Sequence, residues 1–185
     1  MGQPENMAKF NERARAVQTV VSEAGSLAAA FEYAADLTRE QGGQSIAAPG
    51  ITGENLNLLA SICQTRGLML LTENLREKIG LIGTGLTMAD WGIAETATLV
   101  MDSTSEDFRI ATMLCETHVA VLPKSRIVPD SAAILEELTQ MMEAAPGYLA
   151  FISGASRTAD IERVLTIGVH GPQELHVLIL EEDEQ

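Results

Sequence analysis

The sequence predicts an α/β protein built on a largely parallel sheet flanked by helices, with an N-terminal helical extension. Three observations carry this. Beyond residue 42, short apolar runs alternate with segments of helical period, the pattern of strands connected by helices. The run Gly67–Leu71 shows no polar alternation, as expected of a strand covered on both faces. Before residue 42 the apolar positions Met7, Phe10, Ala14, Val17, Val21, Ala24, Ala28, Phe31 and Ala35 recur three and four apart, which is helical spacing.

In order, Gly25-Ser26 interrupts that first pattern and divides it into two helices, over 5–23 and 26–41. Gly42-Gly43 ends the second, so a helical extension over 1–41 precedes an α/β domain over 42–185. A strand over 45–48, a Pro49-Gly50 turn and a helix over 55–65 follow, the helix placing Leu56, Leu59, Ala60 and Cys63 on one face. Asn74 and Glu77 have capping spacing. Gly80, Gly83 and Gly85 suggest a strand running into a glycine-rich turn, then a short helix over 89–95 and a strand over 97–101. Their spacing fits neither G-x-x-x-x-G-K-[ST] nor G-x-G-x-x-G, which rejects both nucleotide loops. Thr104 and Asp107 form a capping box for a helix over 105–113. The remaining elements are a strand over 118–122, a helix over 131–144 capped by Asp130, and strands over 148–152 and 175–180.

Composition bounds the function. The 185 residues carry a formal charge of −14, which argues against nucleic acid or an anionic membrane as partner. No uncharged run approaches the roughly 20 residues of a bilayer span. The polar start, with Glu5, does not resemble a secretory signal, so a cytoplasmic location is expected. Cys63 and Cys115 are isolated and form no zinc, redox or iron–sulfur motif; no cofactor is expected in this chain.

The densest chemistry lies after the strand over 148–152. Ser153, Gly154, Ala155, Ser156 and Thr158 are small or hydroxylated, with Arg157 and Asp160 among them. Gly154 permits backbone angles closed to other residues, the hydroxyls are donors, and Arg157 adds a forked cation. These features predict an anion-accepting pocket at the carboxyl end of the sheet, where open α/β sheets bind ligands. The competing reading is an Arg157–Asp160 ion pair closing a structural loop. His170, held between Gly168 and Gly171-Pro172, is the histidine chosen for ligand contact. His118, His170 and His176 lack helical pairing or a surrounding carboxylate cluster, so no metal site is expected. Glu95 stands between two apolar stretches and is either a solvated acid or a functional one. Trp91 is a packing residue or a stacking surface for a ligand ring.

Four blocks carry a resemblance: Ile93-Ala94-Glu95-Thr96-x-Thr98-Leu99-Val100, His118-Val119-Ala120-Val121, Ser153-Gly154-x-Ser156-Arg157-Thr158-Ala159-Asp160-Ile161-Glu162, and Gly168-Val169-His170-Gly171-Pro172-x-Glu174-Leu175-His176-Val177. Together they resemble the lactate-utilisation protein C family, the short form of the LUD domain, over roughly 44–180. The resemblance implies a fold like that of ribose-phosphate isomerase, glucosamine-phosphate deaminase and CoA transferases. It also implies a part in oxidising L-lactate to pyruvate, as the cluster-free companion of iron–sulfur subunits. Thr96 and Gly171 join the ligand-binding candidates through these blocks. The alternative is an enzyme acting alone on acyl-CoA or a phosphosugar, with Glu95 as nucleophile. One departure stands out: the family usually has glycine after the E-T pair, and Ala97 is found here.

Overall fold

The computed structural model of the chain describes residues 2–143, 147–158, 166–168 and 170–181. The chain opens with helix α1 (Gln3–Ala16) and turns into strand β1 (Val20–Ala24). Helix α2 (Leu27–Glu40), strand β2 (Ser45–Ala47), helix α3 (Gly53–Arg66) and strand β3 (Met69–Leu71) follow. A 3-10 segment, Leu75–Leu81, leads to β4 (Thr84–Met88) and to the hairpin of β5 (Trp91–Ile93) and β6 (Thr98–Asp102). Next come α4 (Glu106–Met113), β7 (Thr117–Pro123), β8 (Ile127–Val128) and α5 (Leu135–Glu143). The order closes with β9 (Leu149–Ile152), β10 (Arg157–Thr158), β11 (Thr166–Ile167) and β12 (Glu174–Leu180).

Six strands form one wholly parallel sheet in the order β1-β12-β7-β4-β2-β3. A second sheet, β8-β5-β6-β9, is mainly antiparallel. Alternation along β7 shows the layering. Val119 and Val121 pack with Phe31, Ala34, Leu59 and Cys63 of α2 and α3. Ala120 and Leu122 face the other way, onto Phe10 and Ala14 of α1 and Leu99 and Met101 of β6. The parallel sheet is therefore covered by α2 and α3 on one face, and by α1 and the second sheet on the other. No helix among the described residues is long and apolar enough to cross a membrane.

The predicted α/β class and parallel sheet stand, but several elements differ. The helix expected over 5–23 stops at Ala16. The Thr19 N–H reaches back to the Ala14 carbonyl at 2.9 Å, with Gln18 left-handed at φ 57°, an αL helix end made without glycine. After Thr19 the β-branched Val20-Val21 begins β1, paired to β12. Residues 1–41 are thus not all helical, and β1 and α2 belong to the same sheet and core as the rest. The helix expected over 89–95 is instead the β5 strand and the turn of a hairpin, for a short apolar run does not distinguish the two periods.

The glycine-rich turn is also different. Gly85 lies inside β4, because a Cβ there would fall 1.9 Å from the Ala111 carbonyl oxygen of α4. A 3-10 segment takes the place of the strand expected to run into that turn. Ser105, not Thr104, caps α4 through the Phe108 N–H at 3.4 Å. The Asp107 carboxylate instead accepts from the Asn74 and Leu75 N–H groups at 3.0 and 2.8 Å, capping the 3-10 segment from outside. The Asp130 cap is present, accepting from the Ala133 N–H at 3.1 Å, although the first turn is 3-10.

Candidate functional site

The loop after β9 and the segment entering β12 converge on one cavity of about 270 Å³. Ser153, Gly154 and Ser156 line it from one side, His170 and Gly171 from another. Thr112 at the end of α4 and His118 on β7 complete its polar wall, and Phe151 supplies apolar surface. Five of the ligand-binding candidates named from sequence therefore share one concavity. The Ser156 N–H donates to the Pro172 carbonyl and the Gly168 N–H to the Ser156 carbonyl, each at 2.9 Å, which ties the two segments together.

The cavity sits at the amino end of the parallel sheet, not at the expected carboxyl end. His118 and Leu175 lie one residue inside the first residues of β7 and β12 and are register partners. The reason is that the strand ending at Ile152 is not in the parallel sheet. It pairs antiparallel with β6 and delivers its loop to the opposite end.

His118, read from the sequence as a hydrogen-bonded structural or pocket-lining histidine in preference to a metal ligand, is the most constrained polar group of the site. It is 1% exposed, and its Nε2 shares a 2.8 Å hydrogen bond with the Thr87 hydroxyl. Burial pushes its pKa down to about 4, so the imidazole is neutral at pH 7. The one sequence signal for it is a histidine opening an apolar strand. His176 lies on the other face, bonding Tyr33 Oη through Nδ1 at 2.8 Å and Glu174 through Nε2 at 2.9 Å. Among the described residues no three His, Cys, Asp or Glu side chains gather as metal ligands.

The other candidates divide. Thr96 connects indirectly: its hydroxyl bonds that of Thr98 at 2.6 Å, which bonds the Ser153 hydroxyl at 2.6 Å. Thr158 is in β10 and Arg157 does not line the cavity. The Arg157 guanidinium turns to the Val17 carbonyl, and to Gln18 Oε1 at 3.3 Å, at the carboxyl end of α1. Gly154 is left-handed at φ 76°, as its sequence context suggested. The close approach it allows, however, is to Val17, whose carbonyl oxygen a Cβ would meet at 2.7 Å. Asp160 lies outside the described residues. Glu95 is exposed in the β5–β6 turn and its N–H donates to Pro129. Ala97 ends that turn at φ 49°, the conformation that favours glycine. Among the described residues that line it, the cavity thus offers hydroxyls and imidazoles and no Lys or Arg. It suits a small ligand recognised by hydrogen bonds.

An open parallel sheet backed by a second, mainly antiparallel sheet is an arrangement with a solved counterpart. The DUF162 family protein from Deinococcus radiodurans superposes with a TM-score of 0.59 over 97% of this chain and 99% of that one; at 14% identity this speaks to the fold alone. The chain belongs to the LUD domain family, whose sequence model matches residues 7–180. Lactate utilization protein C of Halalkalibacterium halodurans is 36% identical over 113 residues, covering 60% of this chain and 49% of that protein. The protein of the same name from Geobacillus kaustophilus is 35% identical over 99 residues, 52% of this chain and 41% of it. These matches span about half the length of those relatives or less. An uncharacterized Escherichia coli protein, YkgG, is 31% identical over 98% of this chain and 82% of its own length.

Proposed function

We propose that this protein serves lactate utilisation in the cytoplasm as the cluster-free subunit of an L-lactate oxidising system, working with iron–sulfur partner subunits. The name shared by its curated relatives supports the physiological setting. The observation that supports a ligand-binding role is the convergence of Ser153, Ser156, His170, Thr112 and His118 on one cavity of about 270 Å³. A hydroxy acid or keto acid of lactate size presents a carboxylate to the hydroxyl donors. Its second oxygen meets an imidazole, with the apolar carbon on Phe151. Recognition by neutral donors fits a site whose buried His118 carries no charge at pH 7. Glu95, exposed and away from the cavity, gains no support as an acyl-transfer nucleophile.

The test is titration of the protein with L-lactate, pyruvate and acetate, followed by NMR shifts of the residues around the cavity. Saturable shifts at Thr112, Ser153 and His170 with lactate or pyruvate are expected, weakened about tenfold in Ser153→Ala. Shifts elsewhere, or none with any of the three acids, reject the cavity as their site.

A further inference from the structure

A second concavity, of about 440 Å³, runs between α1 and β1, on the rim of the parallel sheet. Met7, Asn11 and Arg15 form one wall at four-residue spacing on α1, and Thr19, just before β1, with Val21 and Glu23 on it, forms the other at two-residue spacing. Two buried polar atoms on these walls, Asn11 Oδ1 and Thr19 Oγ1, have no hydrogen-bond partner among the described residues. Thr19 is only 6% exposed, so its bare hydroxyl is an unmet demand.

The adjoining backbone is unmet as well. β1 is an edge strand, paired on one side with β12. The Ala24 carbonyl accepts from the Glu181 N–H at 3.0 Å and so points toward β12. Peptide groups alternate along a strand, so Val20 and Ser22 also face β12. Val21 and Glu23 direct their N–H and C=O outward. An open edge of this kind accepts another strand.

We propose that this edge joins two copies of the chain, β1 to β1, antiparallel about a twofold axis at Val21. That register lets the two Val21 residues exchange both backbone hydrogen bonds and sets Thr19 opposite Glu23 of the other copy. Arg15, exposed on α1 beside Thr19, faces that Glu23 carboxylate, and the arrangement repeats on the other side of the axis. Opposite charges at the two ends of one groove are what an isologous contact requires. A register centred on Glu23 would instead oppose two carboxylates. The chain's charge of −14 opposes association at low salt, but a Debye length of about 8 Å at physiological ionic strength leaves the local pairing to decide. This inference is independent of the lactate reading.

The experiment is sedimentation of the full chain and two charge-reversed variants, Arg15→Glu and Glu23→Arg, alone and mixed, with melting curves to show that each is folded. The parent is expected to be a dimer. Each variant alone places like charges across the axis and weakens dimerisation at least about tenfold. An equimolar mixture of the two restores the dimer, because Glu at 15 in one chain then meets Arg at 23 in the other. Only contact between copies produces that rescue. A monomeric parent, single variants that dimerise like the parent, or a mixture that stays monomeric each overturn the proposal. Binding of a different protein at this edge to a monomeric parent does so too.

Discussion

The two ends of the parallel sheet differ in kind. At the amino end the cavity is lined by hydroxyls and imidazoles, and its most buried group, His118, is held neutral. At the carboxyl end of β4 and β7 a shallower hollow of about 470 Å³ is lined by formal charges, Asp90, Arg126 and Glu137. There the Arg126 guanidinium lies 4.5 Å over the Trp91 ring, and Asp90 accepts from the Asp102 N–H at 2.7 Å while burial raises its pKa. Trp91 therefore carries an arginine from its own chain. The rule placing ligands beyond the carboxyl ends of strands describes loops that leave a parallel sheet. The serine-rich loop leaves an antiparallel strand of the second sheet, so it comes to the other end.

The contrast depends on α4 lying tight against β4, which brings Thr112 to the amino-end cavity. Gly85 is the hinge of that packing. A Cβ would sit 1.9 Å from the Ala111 carbonyl oxygen and 2.9 Å from its carbon, and backbone does not yield as a flexible side chain does. Gly85→Ala is expected to cost roughly 4 kcal/mol or more, measured by urea unfolding. A variant as stable as the parent would show that α4 can lift away from the sheet at little cost.

That packing was legible only in part. The alternation of helices with apolar strands identified the class, but the run over 67–71, expected to be covered on both faces, is the edge strand β3 with Met69 exposed, while β7 is the uniformly buried strand. The second sheet was not readable. Its strands are three to five residues long where β5 and β6 pair, and Trp91–Ile93 carries too little pattern to separate strand from helix. The α1 boundary was missed because Gln18, rather than glycine, takes the left-handed position. Local chemistry marked four residues of the site, Ser153, Gly154, Ser156 and His170, because small and hydroxylated residues cluster along two short segments, and the family resemblance added Gly171. His118 and Thr112 reach the same cavity only through strand register and helix packing, which no local pattern encodes.

The neutral character of the amino end has a pH signature. His118 has a folded pKa of about 4 against an ordinary 6.5, so between those values the unfolded chain binds the additional proton. Stability from this group is complete above pH 6.5 and falls as the pH drops toward 4. The loss is roughly 3 kcal/mol, at 1.36 kcal/mol per pKa unit. His118→Gln keeps a polar group beside Thr87 and has nothing to titrate. The difference between parent and variant in urea unfolding should therefore shrink or reverse across that interval as the parent loses stability. Parallel stability–pH curves would mean that His118 is not buried as neutral imidazole, and the two sheet ends would no longer differ in charge.

The smallest effect separates the cavity from the loop that builds it. Arg157 is the cation within the serine-rich segment, and the sequence made it a ligand residue. Its guanidinium instead binds the Val17 carbonyl and Gln18, fastening the loop to the carboxyl end of α1, where a positive charge also favours the helix dipole. Arg157→Lys keeps the charge and loses the fork that reaches two acceptors. Because the group is exposed, stability should fall by only about 0.5 kcal/mol, and L-lactate titration of the cavity should be unchanged. The opposite result, unchanged stability with ligand affinity reduced tenfold, would mean that Arg157 leaves Val17 and swings into the cavity when an anion arrives. The amino end would then recognise its ligand by formal charge after all, and the contrast between the two ends of the sheet would be one of the empty protein only.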